Sequence, residues 1–137
     1  MAEHVIITCI VPRQPNEDSL CTAEGYTSQV RSFESLLAQA FGGYTVTEGF
    51  GAWAEDGTNV VSEKVYIYRI DVSLDNVYET ASIVSGLRYQ ICTRFDQKAA
   101  YVAVTKARYG SSIGVGNSEG SGAVYKLAEK RVKDNAV

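Results

Sequence analysis

The sequence predicts an α+β fold in the order β-α-β-β-α-β, a four-stranded antiparallel sheet with two helices packed as a sandwich on one face. Three observations carry this expectation. Two segments repeat apolar residues at helical spacing, four runs rich in β-branched residues flank them, and an Asp56-Gly57 pair joins the two middle runs. The 137 residues, 45% hydrophobic and 21% charged, suffice for one core without disulfides or metals and lack the polar excess of disorder. The expected division is an α/β domain over 1–109, then a Gly/Ser-rich segment and short C-terminal helix or tail over 110–137.

His4 to Val11 forms the first strand and stops at Pro12, whose ring removes a donor and fixes φ. From Pro12 to about Gly25 the chain is polar and turn-rich (Arg13, Gln14, Pro15, Asn16, Glu17, Asp18), long for a connection in a small domain, and such loops often serve a site. Thr27 or Ser28 is the expected cap of a helix whose Val30, Phe33, Leu36, Leu37, Ala40 and Phe41 share one face. Gly42 and Gly43 close it. Tyr44–Glu55 and Asn59–Val72 read as strands around the Asp56-Gly57 turn, and Gly49 and Gly51 mark a bulge or a close approach. A two-residue turn would pair Trp53 with Val60 and Phe50 with Glu63, placing Trp53 and Glu63 on opposite faces unless the loop is longer or they serve different subunits' sites.

Asp75 opens the second expected helix, with Val77, Ala81, Val84, Leu87, Ile91 and Phe95 largely on one side, and Lys98–Lys106 is the fourth strand. This order is ferredoxin-like. Beyond it, Gly110–Gly122 reads as mobile and Ala123–Val132 as a short amphipathic helix.

With both helices on one face, strands facing water on the other should alternate apolar and polar. They do not. The first strand offers Val5, Ile7, Cys9 and Val11 on one side and Ile6, Thr8 and Ile10 on the other; Val65 and Ile67 oppose Tyr66, Tyr68 and Ile70. The fourth sets Ala100, Val102 and Val104 against Tyr101, Ala103 and Thr105. A second apolar face predicts burial in a small oligomer, the alternative being a C-terminal segment folded over it.

The net charge of −3, with basic residues scattered, disfavours nucleic acid, and no apolar run is long enough to span a bilayer, so the chain reads as cytoplasmic with no membrane partner. Cys9, Cys21 and Cys92 are odd in number and far apart, and read as buried or incidental thiols. With His4 as the single histidine, neither a His-based triad nor a multi-His metal cluster is expected, and there is no phosphate-binding G-x-x-x-x-G-K loop. Neither Gly49-Phe50-Gly51 nor Gly114-Val115-Gly116 has dinucleotide-binding context. No metal or cofactor is expected, so an enzyme built here works by positioning and electrostatics.

Glu63 lies where burial should begin, and such a carboxylate needs a partner or ligand to offset desolvation; a solvent-facing or lysine-paired glutamate is the plainer reading. Trp53, the one tryptophan, is either a core or interface anchor or a stacking surface for a purine. Gln97, in Phe95-Asp96-Gln97-Lys98, either presents its amide to a ligand at the sheet end or belongs to a polar turn.

Taken together, the first strand, the long loop, the helix ending near Gly43-Tyr44, Gly51-Ala52-Trp53, the Glu63-Lys64 pair and Gln97 resemble the bacteriophage S-adenosylmethionine (SAM) lyases, formerly called SAM hydrolases, over about residues 5–106. The pattern is also similar to other trimeric proteins of the PII superfamily. The resemblance implies a PII-like homotrimer with interfacial sites that cleaves SAM to methylthioadenosine and homoserine lactone. In that reaction the substrate's own carboxylate displaces the thioether, and SAM is a substrate rather than a cofactor. It implies anti-restriction by SAM depletion in the host cytoplasm. By the same resemblance Glu63 is the essential acid holding the ammonium or sulfonium region, and Lys64 pairs with a neighbouring carboxylate. Trp53 replaces an aromatic that is often tyrosine, and Gln97 holds the adenine or ribose end. The alternative is a non-catalytic PII-like trimer that binds a small nucleotide or a partner protein; such a trimer tolerates loss of Glu63.

Overall fold

The structure, a computed structural model, describes residues 3–54, 57–74, 77–106 and 112–117. Its elements are β1 (Glu3–Pro12), α1 (Ala23–Phe41), β2 (Thr45–Ala54), β3 (Val60–Leu74), α2 (Val77–Phe95), β4 (Ala99–Lys106) and β5 (Ser112–Asn117). All pairings are antiparallel, in the order β2-β3-β1-β4-β5. The first four strands and both helices reproduce the expected ferredoxin-like α+β arrangement. The fifth strand lies in the segment expected to be mobile, where the free edge of β4 offers unpaired backbone groups that Ser112–Asn117 satisfies. The sheet therefore extends past residue 109; the helix expected over 123–132 lies outside the described residues.

Helix α1 begins earlier than Thr27 or Ser28. Thr22 is its cap: its Oγ1 accepts from the Gly25 N–H at 3.0 Å, while the Thr27 hydroxyl donates back to the Ala23 carbonyl inside the helix. The true cap was obscured because Gly25 reads as a breaker, yet in the first turn its N–H is the donor the cap needs. The early start brings Tyr26 into the core beside Phe33, Leu36, Leu37, Ala40 and Phe41. Gly42, at φ 88°, closes the helix in the left-handed conformation as expected.

In α2 the buried side is set by Thr80, Ile83, Val84, Leu87, Ile91 and Phe95; Ala81 is exposed rather than buried, and Asp75 lies outside the described residues. No described helix is long and apolar enough to cross a membrane. Between helices and sheet sits a core of Val5, Ile7, Cys9 and Val11 from β1, Tyr68 and Ile70 from β3, and Ala100, Val102 and Val104 from β4. Phe33 is its hub, edge-on to Tyr68 at 5.4 Å and to Phe95 at 5.6 Å.

The opposite face carries Ile6, Thr8 and Ile10, all half-buried, with Val65 at 3% and Ala103 at 6% exposure. Its far end is polar, with Arg69 and Asp71 paired at 3.7 Å. The apolar second face read from the strands is thus real but confined to part of the sheet. Of the C-terminal segment considered as its cover, Ser112–Asn117 extends the sheet at its edge as β5, and residues 118–137 lie outside the described residues.

The β2–β3 register differs from the two-residue expectation. Ala54 pairs with Val60, so five residues, 55–59, form the loop, with Gly57 at φ 83° where a side chain would be strained. The pairs become Trp53–Val61, Gly51–Glu63 and Phe50–Lys64. A shift of one residue turns a strand's side chains to the other face, so Trp53 and Glu63 now share one. The ladder carries no bulge, and the glycines mark close approach: a Cβ at Gly49 would sit 3.0 Å from Ile67 Cδ1.

Candidate functional site: a cleft beside the projecting hairpin

Strand β1 stops pairing with β3 at Pro12–Val65, so β2 and β3 run on as a two-stranded ribbon past the body of the sheet. The chain leaving β1 turns alongside it, with the Arg13 N–H donating to the Lys64 carbonyl at 2.9 Å. Between ribbon and loop lies a cleft of about 830 Å³, a volume suited to a small molecule. Gln14 to Asp18 line the loop side; Phe50, Trp53 and Val61 to Lys64 line the ribbon side.

Trp53 and Glu63 both face this cleft from neighbouring strands. Between them the backbone is bare, because Gly51 stands directly across from Glu63. Burial pushes the Glu63 carboxyl above its ordinary value, and among the described residues it has no ion-pair partner. Lys64 also lines the cleft but points to the other face of the ribbon, opposite Phe50, and makes no ion pair among the described residues. Glu17, Asp18 and Glu63 against Lys64 leave the cleft a formal charge of −2. An acidic, partly aromatic cleft of this kind favours a cation that carries a flat ring.

Gln97 is not on the cleft wall. Its Nε2 donates to Asn16 Oδ1 at 3.2 Å and to the Phe95 carbonyl at 2.9 Å, while Asn16 Nδ2 donates to the Asp96 carbonyl at 2.9 Å. Asp96 adopts a left-handed φ of 51°, unusual for a residue with a side chain. The α2–β4 turn therefore ties down the loop on the cleft's far side.

Across the loop, a smaller cavity of about 330 Å³ shares Gln14 and Pro15 with the cleft. There Arg13 pairs with Glu48 at 3.5 Å and lies over the Tyr66 ring, and the Tyr26 hydroxyl donates to the Pro12 carbonyl. The charge of Glu63 adds to burial in raising the Tyr26 phenol, so the two cavities are electrostatically close.

No protein-family model and no curated protein matches the chain. Solved structures do. A phage SAM lyase in complex with S-methyl-5'-thioadenosine aligns with 84% of this chain and 88% of its own, at 14% identity and TM-score 0.60. A phage SAM lyase in the apo state covers 83% of this chain and 86% of that one, at 13% identity and TM-score 0.56. The chain has the fold of the phage SAM lyases. The periplasmic divalent cation tolerance protein CutA from Archaeoglobus fulgidus also aligns, over 94% of this chain and 98% of its own, at 9% identity and TM-score 0.45.

Within this SAM lyase fold, the structure brings Trp53, Glu63 and Lys64 to one cleft and sets Gln97 behind its wall. In the sequence Phe50 and Val61 carry no chemical signal for a site, Ser62 stands out only as part of Ser62-Glu63-Lys64 at the entry to an apolar strand, and Asn16 only as one residue of a polar loop. The signal for the loop was its length; nothing local marked Asn16 as the residue held by Gln97.

Proposed function

We propose that this chain is a SAM lyase, working as a homotrimer with its clefts at subunit interfaces and depleting SAM in the cytoplasm of a phage-infected host. The observation that carries the proposal is the shared face of Trp53 and Glu63 in a cleft of formal charge −2, on a fold common to phage SAM lyases. SAM bears a sulfonium and an ammonium against one carboxylate, joined to a purine. An acidic wall and an indole ring complement both halves of that molecule.

In the reaction, an oxygen of the substrate carboxylate attacks its own γ-carbon. The carbon–sulfur bond breaks, its electron pair passes to the sulfonium, and methylthioadenosine leaves as a neutral thioether while the methionine part closes to homoserine lactone. The step consumes no water and transfers no proton, so it asks for no enzymic nucleophile. The buried Cys9 thiol, pushed up to about 12 by desolvation, would in any case be a poor one. The protein's task is orientation. Glu63 holds the ammonium or sulfonium region, Trp53 stacks on adenine, and the folded methionine part is held with carboxylate and γ-carbon in line, a near-attack geometry that free SAM visits only rarely. The apolar part of the face opposite the helices supports assembly of the trimer.

The test is incubation of purified protein with SAM, following methylthioadenosine and homoserine lactone by chromatography beside a Glu63→Gln variant, with light scattering for the trimer. Wild-type protein yields both products and the variant little. Absence of methylthioadenosine defeats the lyase reading, homoserine without lactone points to hydrolysis, and a monomer defeats the interfacial site. The second reading is a non-catalytic PII-like trimer that binds a nucleotide or a protein. It is favoured by Trp53, which lacks the phenolic hydroxyl that the resemblance to the lyases implies at this position. It requires binding without turnover.

A further inference from the structure

We infer that Gln97 serves the cleft as a positioning residue, acting through Asn16, and does not touch the ligand. Both hydrogens of its amide nitrogen are committed, one to Asn16 Oδ1 and one to the Phe95 carbonyl. Donation to an adenine or ribose acceptor would break the tie that orders the loop. The tie has depth. Asn16 returns a hydrogen bond from its own amide to the Asp96 carbonyl, and its backbone carbonyl accepts from the Ser19 N–H at 2.9 Å. Ser19 Oγ in turn accepts from the Cys21 N–H at 3.1 Å, immediately before the cap of α1. One short network therefore spans the loop between β1 and α1, and its distal anchor is the turn ahead of β4. Asn16 is the member that reaches the cleft wall, beside Glu17 and Asp18. Those carboxylates gain their place on the wall from an amide some 80 residues away in sequence.

The activity readout of this inference rests on the lyase reading; its structural readout does not. Gln97→Met, which keeps the side chain's bulk, Asn16→Ala and the double variant form a cycle. Each single change raises the KM for SAM roughly fivefold, as loss of one neutral hydrogen bond does, and leaves kcat within about twofold, because the wall binds ground state and transition state alike. The double variant is no worse than Asn16→Ala. Exchange of the Ser19 amide hydrogen, measured by NMR on wild type and variants, quickens roughly fivefold in either single variant and no further in the double. A double variant whose KM is the product of the two single effects overturns the inference, because Gln97 then contacts the ligand itself. Unchanged Ser19 exchange in Gln97→Met overturns it as well. Wild-type protein that leaves SAM intact defeats the lyase reading alone, since the exchange cycle still tests the tie.

Discussion

Replacing Trp53 by alanine probes the cleft most directly. The indole is 44% exposed, about 110 Å² of a side chain that carries about 250 Å². A purine lying on one ring face covers about half of that, and about 55 Å² at about 25 cal/mol/Å² gives about 1.4 kcal/mol, a tenfold change in Kd. Alanine substitutions at base-stacking aromatics cost about 1–3 kcal/mol, which brackets this value. Calorimetric titration with methylthioadenosine is the assay. The dissociation constant rises about tenfold in Trp53→Ala and less in Trp53→Phe, which keeps a flat ring. The side chain projects from a ribbon beyond the core, so the thermal midpoint moves little. A Trp53→Ala affinity within about twofold of wild type, with unchanged circular dichroism, would refute the stacking role and with it the significance of the face shared with Glu63.

Three further changes test the parts around the cleft. Burial raises the Glu63 pKa in the folded chain, so its ionisation costs stability above the folded value and costs nothing below the unfolded one. Unliganded Glu63→Gln is therefore more stable than wild type at neutral pH, and the difference vanishes below about pH 4; equal urea midpoints at pH 7 would contradict the desolvation. Thr22→Ala removes the cap of α1 and costs about 1 kcal/mol, whereas Thr27→Ala changes stability by less than about 0.5 kcal/mol. The reverse ranking in thermal melts would restore the later helix start. Phe33→Ala empties a fully buried site between Tyr68 and Phe95 and costs about 3–5 kcal/mol by urea unfolding; a loss under about 1 kcal/mol would mean the aromatic layer is not closely packed.

Much of the fold is written in local signals. The apolar spacing of Phe33, Leu37 and Phe41, the left-handed glycine at 42 and the run from His4 to Pro12 each depend on neighbours within a few residues, and so does the Asp56-Gly57 signal that separates β2 from β3 without fixing their register. They sufficed for the order of the elements from β1 to β4, and Glu63 stood out as a carboxylate at the threshold of an apolar strand. What failed was the choice between equivalent local options. Thr22, Thr27 and Ser28 are all competent caps, and the one that wins does so because the earlier start buries Tyr26 against Phe95, at 5.4 Å. Ser112–Asn117, read as a mobile glycine-rich stretch, becomes a strand because β4 presents it with an unsatisfied edge.

The sequence by itself determined the order of the first four strands and both helices, the split between a helix-covered face and a second apolar face, and three of the residues that meet at the cleft. Only the tertiary structure decided that Trp53 and Glu63 look the same way, since a two-residue and a five-residue loop differ by one step of register and strand side chains alternate with every step. It alone also placed Gln97 behind the wall: a hydrogen bond between residues 16 and 97 depends on how the α2–β4 turn docks against the loop after β1, and no local pattern encodes that distance.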